Sequence, residues 1–548
     1  MRKRPGRTAS LIVSLAILGS RVLGLVREQT FAFLLGAGRQ WDAFLAAFQI
    51  PNLLRDLFAE GALSTAFTTV FAQTSEDEGD EAAWRFGSLV LSTLVLILGG
   101  LCLGGILLSP LLVDATSFGF RAVAGKYEMT VRLTRLLFPF ILFISLAAAV
   151  MGMLNARYRF TAPALSPIAF NMASIVGGVA LAFLLEPQPD WRRPAFGDRG
   201  LTGLAFGVLL GGLAQLAVQW PTLWREGFRY RWQLNWHHPR LRQLWRLFWP
   251  AALAASAVEV NVLINGQFAS LFDGGRSWLA SAFRILYFPI GLFGVAVATV
   301  TLPAAARDAL AHDRTRFGQT AEEALRLSLF FALPAAAGMA ALAIPIVRLL
   351  FEHGRFTPAD TLQSAAALRT YSVGLAGYAS VKVLVPLFHA LNRPHIPLRV
   401  NLAAIGINLL LNALFVFGLN FRHVGVAAAT AGVMLSNSAL LAWHLSRLAP
   451  LGSARRWLAW GAIVVSGSLL AAPAAWLTVF GLESLLGLRL FGRLIATAAA
   501  IGVGGAIYAG WTLAWRIPEA LQIKQSLTRR WGLGWLLRAC GRRIDLCG

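Results

Sequence analysis

Apolar runs separated by short polar breaks follow one another along almost the whole chain. A helix needs about 20 mostly apolar residues to cross the hydrocarbon core of a bilayer. The runs are continuous and lack the period-two alternation of a membrane β-barrel, so they predict an all-α polytopic membrane protein. About fourteen transmembrane helices are predicted from this pattern, near residues 9–36, 42–72, 86–112, 130–154, 163–185, 200–222, 247–272, 278–305, 322–346, 362–390, 397–418, 424–445, 457–480 and 491–515.

The loops between the runs indicate the orientation of the chain. An even number of spans places both termini on the same side of the membrane. That side carries about 28 Lys and Arg residues against about 12 on the other, and Lys and Arg accumulate in cytoplasmic loops. Both termini are therefore predicted to be cytoplasmic. The basic residues Arg2–Arg7 are interpreted as the flank of a retained first helix, not as a signal peptide.

An internal repeat relates the two halves of the chain. The sequence of Gly38–Trp41 recurs with one change at Gly275–Trp278, and Leu154-Asn155 recurs as Leu391-Asn392. Both pairs have the same offset, 237 residues, which indicates a duplication. The offset covers six predicted spans. Because six is an even number, the two halves enter the membrane from the same side and share one orientation. Parallel repeats of this kind build transporters with a substrate site between two lobes.

The repeat and the loops divide the chain into five predicted parts. Residues 1–222 form an N-terminal lobe of spans 1–6, and residues 247–447 form a C-terminal lobe of spans 7–12. A basic cytoplasmic loop, residues 223–246, joins the lobes. Spans 13 and 14, within residues 448–515, lie outside the repeat, and residues 516–548 form a basic cytoplasmic tail.

Composition agrees with lipid as the main solvent. Charged residues make up 14% of the chain, against about 25% in soluble domains, and the mean hydropathy is +0.62. The net charge of +23 would suggest nucleic-acid binding in a soluble protein, but the basic residues lie in short loops, so no nucleic acid is expected. The sequence has no phosphate-binding loop motif, no metal-binding cluster and no catalytic triad, so we expect a transporter and not an enzyme.

Ionisable residues that interrupt apolar runs are the candidate functional residues. Inserting an arginine at the centre of a membrane helix costs about 2.5–3.5 kcal/mol. Such residues are therefore expected to face a water-filled cavity, to form ion pairs with one another or to reach the membrane interface. Arg55 and Arg284 lie deep in spans 2 and 8, which favours a cavity position. Arg39, Arg276 and Arg348 lie at the ends of runs, where interfacial anchors are typical.

The excess of arginine over acid in the spans predicts an anionic cargo. A guanidinium stays protonated and matches two phosphate oxygens at once. A pyrophosphate-linked lipid is therefore the natural candidate. A proton-coupled drug exporter would be expected to centre its cavity on carboxylates.

Two long blocks identify a family. Ser20–Glu28 reads SRVLGLVRE and resembles the SRxLGxxRD/E motif that opens the MurJ (MviN) family of lipid II flippases. Pro51–Ala62 reads PNLLRDLFAEGA and resembles the PNLLRxxFAEGA run of the same family. Shorter matches at Phe288–Ala296, Thr357–Thr361 and Lys382–Pro386 extend the resemblance over spans 1–12.

The resemblance implies a multidrug/oligosaccharidyl-lipid/polysaccharide exporter fold. Two six-helix lobes would enclose a cationic cavity, and spans 13 and 14 would form a groove for a polyprenyl tail. Members flip lipid II, the undecaprenyl-pyrophosphate-linked peptidoglycan precursor, from the cytoplasmic to the periplasmic leaflet of the bacterial inner membrane by alternating access. The resemblance places substrate-binding cations at Arg21, Arg27, Arg55 and Arg284, and acidic gating partners at Glu28, Asp42 and Glu60.

This chain departs from the family pattern near Arg284. Many members have an acid just before that arginine and another three residues after it, where this chain has Phe283 and Tyr287. The cavity is therefore expected to be more cationic at that point. The expected partners are lipid II and membrane lipids, and contact with the cell-wall synthesis machinery is left open. No cofactor or metal is expected, and coupling to the membrane potential or to a cation is also left open.

Three alternatives remain at the level of the sequence. The chain could flip another polyprenyl-pyrophosphate glycan. A membrane-embedded glycosyltransferase or phosphatase for the same lipids should show large extramembrane loops or clustered acids and histidines. A scaffold that sequesters the precursor would bind lipid II without moving it.

Overall fold

The structure, a computed structural model, describes residues 7–55, 62–186, 196–487 and 490–530. Helices account for most of these residues, and no β-strand occurs in them. A helix satisfies its own backbone hydrogen bonds, which a chain in hydrocarbon requires. The predicted all-α fold class is confirmed.

The helices up to the basic loop and just beyond it follow the apolar runs closely. They are α1 (Arg7–Leu35), α2 (Arg39–Arg55), α3 (Ala62–Asp77), α4 (Asp80–Leu107), α5 (Ser109–Ser117), α6 (Lys126–Leu137), α7 (Phe140–Ala156), α8 (Thr161–Leu185), α9 (Asp198–Ala217), α10 (Trp220–Arg225) and α11 (Pro239–Ala269).

The remaining helices include two that pass into π-helical turns. They are α12 (Gly275–Pro289), continued by a π-turn over Ile290–Val295, α13 (Ala296–Leu310), α14 (Arg314–Ala341), α15 (Ala343–Phe351), α16 (Pro358–Val373), α17 (Leu375–Ala390), α18 (His395–Asn412), continued by a π-turn over Ala413–Gly418, α19 (Arg422–Ser446), α20 (Ala454–Leu486), α21 (Leu490–Ala514) and α22 (Pro518–Arg530).

Ten described helical stretches are long and apolar enough to cross a membrane. The pair α16 and α17 would make an eleventh, but the two helices meet at a bend of 47°. The span predicted over 362–390 is therefore interrupted at Gly374, and whether the pair crosses as one span stays a prediction. At the break, a Cβ on Gly374 would lie 2.7 Å from the Ala431 Cα, so only glycine allows this approach to α19. The count of fourteen spans and the side of the termini stay predictions.

The chain divides into two compact units, within each of which the residues lie close together in space. The first comprises Met1–Ser281, Leu350–Ser364 and Ile405–Val426, and the second comprises Ala282–Leu349, Ala365–Ala404 and Ala427–Gly548. The five predicted parts of the chain are a separate division and stay a prediction.

The first unit is held together by aromatic and small residues. Phe67, Phe71 and Phe86 pack with ring centroids about 5.8 Å apart and are almost completely buried. Helices α8 and α9 approach through glycines, because a Cβ on Gly207 would lie 2.2 Å from the Gly178 Cα. Such small-residue contacts let membrane helices gain dispersion energy without a hydrophobic driving force.

The second unit includes a buried ion pair at its C-terminal end. Glu519, in the first turn of α22, lies 3.0 Å from the Arg326 Nε of α14 and accepts a hydrogen bond of 3.1 Å from the Trp460 indole of α20. The carboxylate also lies near the positive end of the α22 dipole. The pair therefore fixes α22 against two membrane helices.

Candidate functional site

Arg21 and Arg27 lie on α1, which runs unbroken through Gly24. Arg21 is exposed, whereas the Arg27 side chain is only 14% exposed. The Arg27 guanidinium lies 3.4 Å from the Glu28 carboxylate and 5.1 Å from the ring centroid of Phe170 on α8. The unbroken helix keeps the two arginines on different faces, and Glu28 is an ionic partner of Arg27.

Arg55 is the last residue of α2 and is half-buried. Pro51 lies one turn earlier inside the same helix, where it removes a backbone hydrogen bond. Glu60, the third predicted acidic partner, lies outside the described residues. Its role stays a prediction.

Arg284 is half-buried on α12, in the second compact unit. The preceding Phe283 ring packs 5.5 Å from Tyr371 and 5.8 Å from Tyr378. Tyr287, one turn after Arg284, is 56% exposed. Aromatic rings therefore occupy the two places beside Arg284 where many family members carry acids.

Asp42, in the first turn of α2, is fully buried and accepts hydrogen bonds on both carboxylate oxygens. Oδ2 accepts from the Lys126 Nζ at 2.7 Å and from the Gly274 backbone N–H at 2.8 Å. Oδ1 accepts from the Ser277 backbone N–H at 2.8 Å and from its hydroxyl. These backbone donors lie at the N-terminus of α12, so Asp42 caps a helix that is far away in sequence.

Lys126 completes this arrangement and was not anticipated from the sequence. Its side chain is completely buried, pairs with Asp273 at 2.8 Å as well as with Asp42, and lies 4.3 Å from the Phe120 ring centroid. A buried lysine needs such compensation, because desolvation of an unpaired charge costs several kcal/mol. We call Asp42, Lys126, Asp273, Gly274 and Ser277 the Asp42 network.

Arg276 lies beside the Asp42 network and is 7% exposed. It donates hydrogen bonds to the side chains of Gln49 and Ser117 and to the backbone carbonyl of Thr116. The interpretation of Arg276 as an interfacial anchor is wrong, because protein groups enclose its guanidinium. Arg39 is exposed, as an anchor would be. Arg348 pairs with Glu483 at 3.4 Å.

The two copies of the repeated motif meet at this point. Gly38–Trp41 begins α2 and Gly275–Trp278 begins α12, and the Gly38 N–H donates to the Ser277 hydroxyl at 3.5 Å. Asp42 follows the first copy, and Ser277 belongs to the second. The duplicated segments therefore form one polar contact inside the first unit.

Comparison with known proteins identifies relatives over almost the full length of the chain. The family model described as lipid II flippase MurJ matches residues 31–491. A probable lipid II flippase MurJ of Vibrio cholerae is 33% identical over 524 residues, which cover 88% of this chain and 96% of the relative. The lipid II flippase MurJ of Burkholderia cenocepacia is 32% identical over 469 residues, which cover 85% of this chain and 88% of the relative.

Solved structures agree with these relatives. A lipid II flippase MurJ in an inward closed conformation matches with a TM-score of 0.75 and 25% identity, over 92% of this chain and 99% of that one. An inward-facing multidrug transporter of the MATE family, in the MOP superfamily, matches with a TM-score of 0.63 at 14% identity, which shows a shared fold alone. The matches in sequence and structure place the chain in the MurJ family.

Proposed function

We propose that the protein flips lipid II from the cytoplasmic to the periplasmic leaflet for cell-wall synthesis. The observation that carries this proposal is the family match over residues 31–491, together with curated relatives named lipid II flippases that align over most of their own length. A bacterial inner membrane is the proposed location, because the precursor is made on its cytoplasmic side. Lipid II is the proposed partner.

The pyrophosphate is proposed to bind the arginines of α1, α2 and α12. Arg27 and Arg284 support this assignment, because each is a half-buried cation in a helix whose other residues are mostly apolar. A permanently charged guanidinium in such surroundings gains most from a doubly hydrogen-bonding phosphate. Arg21 and Arg55 are proposed to take part in the same binding.

Asp42 is proposed to act in gating, as the acid that holds α2 to the start of α12. Its four hydrogen bonds join three separate stretches of the chain in the described conformation. Alternating access requires contacts that form in one conformation and part in another. Glu28 and Glu60 are proposed as further acidic partners during this change.

The polyprenyl tail is proposed to lie along α20 and α21. Both helices are long apolar spans with large exposed side chains, including Leu477, Phe480 and Phe491, each more than half exposed. Such apolar surfaces can pack against lipid acyl chains, and a polyprenyl chain offers them the same kind of contact. The membrane potential is a proposed energy source, because moving one charge through 100 mV is worth about 2.3 kcal/mol.

Transport in proteoliposomes tests the proposal. Purified full-length protein should move fluorescent lipid II to the leaflet that a membrane-impermeant quencher reaches. Arg27→Ala and Arg284→Ala should each slow this movement roughly tenfold or more, because a charge-assisted hydrogen bond contributes about 1.5–3 kcal/mol. Arg132→Ala is the matched control, since Arg132 forms an exposed ion pair with Asp198.

The outcomes separate the parts of the proposal. Absence of lipid II movement by the unmodified protein would overturn the flippase assignment. Unchanged lipid II movement in both arginine variants would be compatible with the flippase assignment but would overturn the proposed arginine binding site. Equal movement of a lipid that carries a different glycan on the same pyrophosphate would favour the broader polyprenyl-pyrophosphate cargo.

A further inference from the structure

A non-helical segment between α10 and α11 is fixed against α4. The backbone N–H groups of Arg231 and Gln233 donate to the hydroxyls of Ser88 and Ser92 at 3.4 and 3.3 Å, and the Tyr230 hydroxyl lies 3.1 Å from the Ser92 hydroxyl. No helix or strand is assigned from Phe228 to Asn235. These bonds set which side chains of the segment point away from the helices. We call residues 224–236 the surface segment.

The surface segment leaves large aromatic side chains uncovered. Trp224, Trp232 and Trp236 are 56%, 55% and 50% exposed, and Leu234 is 41% exposed. Tyr230, Trp232, Leu234 and Trp236 occupy every second position of the sequence. The Tyr230 hydroxyl reaches back to Ser92 of α4, while the rings of Trp232 and Trp236 stay about half exposed. In water this much apolar area would cost free energy at about 25 cal/mol per Å².

Exposed arginines alternate with these aromatic residues. Arg225, Arg229 and Arg231 are exposed, and the Arg229 guanidinium lies 5.3 Å from the Trp224 ring centroid. Glu226, the single acid of the surface segment, is bound to Arg159 at 2.6 Å. In the part of the chain that the structure describes, none of these three arginines forms an ion pair. Arg229 donates to the backbone carbonyls of Trp224 and Phe228, which hold its guanidinium at the surface. The surface segment therefore presents positive charge that no acidic side chain neutralises in the described residues.

The surface segment begins where a membrane span ends. The candidate span Asp198–Arg225 finishes at Arg225, so we expect the residues after it at the level of the lipid headgroups. Tryptophan and tyrosine prefer that level, because their rings are apolar and their polar atoms reach water. An arginine there can bind two phosphodiester oxygens at once.

We propose that the surface segment binds anionic phospholipid headgroups, with Arg225, Arg229 and Arg231 on the phosphates and the tryptophans between the acyl chains. The alternation of rings and guanidinium groups fits a bilayer surface better than a soluble acidic protein, which would leave the rings in water. The site is separate from the arginines proposed to bind lipid II, so it stands whether or not that proposal does.

Binding of short-chain phosphatidylglycerol to the full-length protein in neutral detergent tests the proposal. Native mass spectrometry would give the dissociation constant for the unmodified protein and for a triple variant with Arg225→Gln, Arg229→Gln and Arg231→Gln. The triple variant should bind at least about tenfold more weakly, since each arginine near an anionic surface contributes about 1 kcal/mol, roughly fivefold in affinity. Phosphatidylcholine of the same chain length should bind both proteins equally.

A matched variant with Arg307→Gln, Arg314→Gln and Arg316→Gln removes the same charge from three exposed arginines at the ends of two other candidate spans, where no tryptophan or tyrosine lies between them. It should keep the affinity of the unmodified protein. Trp232→Ser with Trp236→Ser should also weaken binding, while free glycerol phosphate should bind none of the proteins measurably. Equal loss in both arginine triples, or tight binding of glycerol phosphate, would overturn the proposal.

Discussion

Removing the charge of Asp42 while keeping its shape isolates the ion pair at the centre of the Asp42 network. In Asp42→Asn the amide oxygen can still accept the two bonds from Ser277, but the amide nitrogen would face the Lys126 ammonium at the present distance of 2.7 Å. The Gly274 N–H would also lose its acceptor. The variant therefore replaces an attraction by a contact between donors.

The size of the effect follows from burial. Breaking a fully buried pair by removing one partner costs about 3–5 kcal/mol. Asp273 remains 2.8 Å from Lys126, so the cost should lie near the lower end, about 3 kcal/mol. Asp114→Asn is the matched control, because Asp114 and Arg121 form a largely exposed ion pair, which is worth less than about 1 kcal/mol.

A double-mutant cycle with Lys126→Met provides the assay. The free energy of unfolding would be measured by reversible titration with a denaturing detergent for both single variants and the double variant. Loss of Asp42 leaves Lys126 with Asp273 as its remaining ionic partner among the described residues, and loss of Lys126 leaves the buried Asp42 carboxylate with neutral donors. Each single variant therefore keeps an incompletely compensated buried charge, so the double variant should be less unstable than the sum by about 1.5–3 kcal/mol. Additivity within about 0.5 kcal/mol would refute the reasoning.

Three other substitutions test separate parts of the structure by thermal unfolding of the purified protein. Gly207→Ala should lower the free energy of unfolding by about 1–3 kcal/mol, because the new Cβ would meet the backbone of α8. Gly100→Ala is the control and should not lower it, because open space surrounds Gly100. Equal effects of the two variants would contradict the close packing of α8 and α9. Glu519→Gln should cost about 1–3 kcal/mol by weakening the contact with Arg326, and an unchanged midpoint would show that α22 is held otherwise. Arg276→Lys should destabilise similarly, since an ammonium cannot reach the same acceptors as the planar guanidinium, and full stability would count against that hydrogen-bond set.

The sequence predicts the fold better than it predicts the helix breaks. Apolar runs locate most helices, because in lipid each run must satisfy its own backbone. The bend at Gly374 could not be predicted, because the residue that packs against it, Ala431 of α19, lies some sixty residues further on. Helix α1 continues without a break through Gly24, which shows that a glycine alone does not end a helix.

The candidate site is predictable in part. Asp42 could be identified because the family resemblance places an acidic partner there, at the start of an apolar run, but the residue that it contacts could not. Lys126 lies at the start of a run, where a lysine usually reaches water, and only the fold brings it to Asp42 across 84 residues. Arg276 was misinterpreted for the same reason, because a position at the end of a run gives no information about which other segments cover it.

The way in which Asp42 is shared also constrains how fast the contact can change. Its two oxygens hold Lys126, Gly274 and Ser277 together, and each bond is enclosed by protein. In a partly opened form Lys126 would keep Asp273, but the Asp42 carboxylate would be left buried without its cation, which is costly. Separation of α2 from the start of α12 should therefore proceed as one step with a single rate constant, limited by the entry of water and not by the breaking of individual hydrogen bonds.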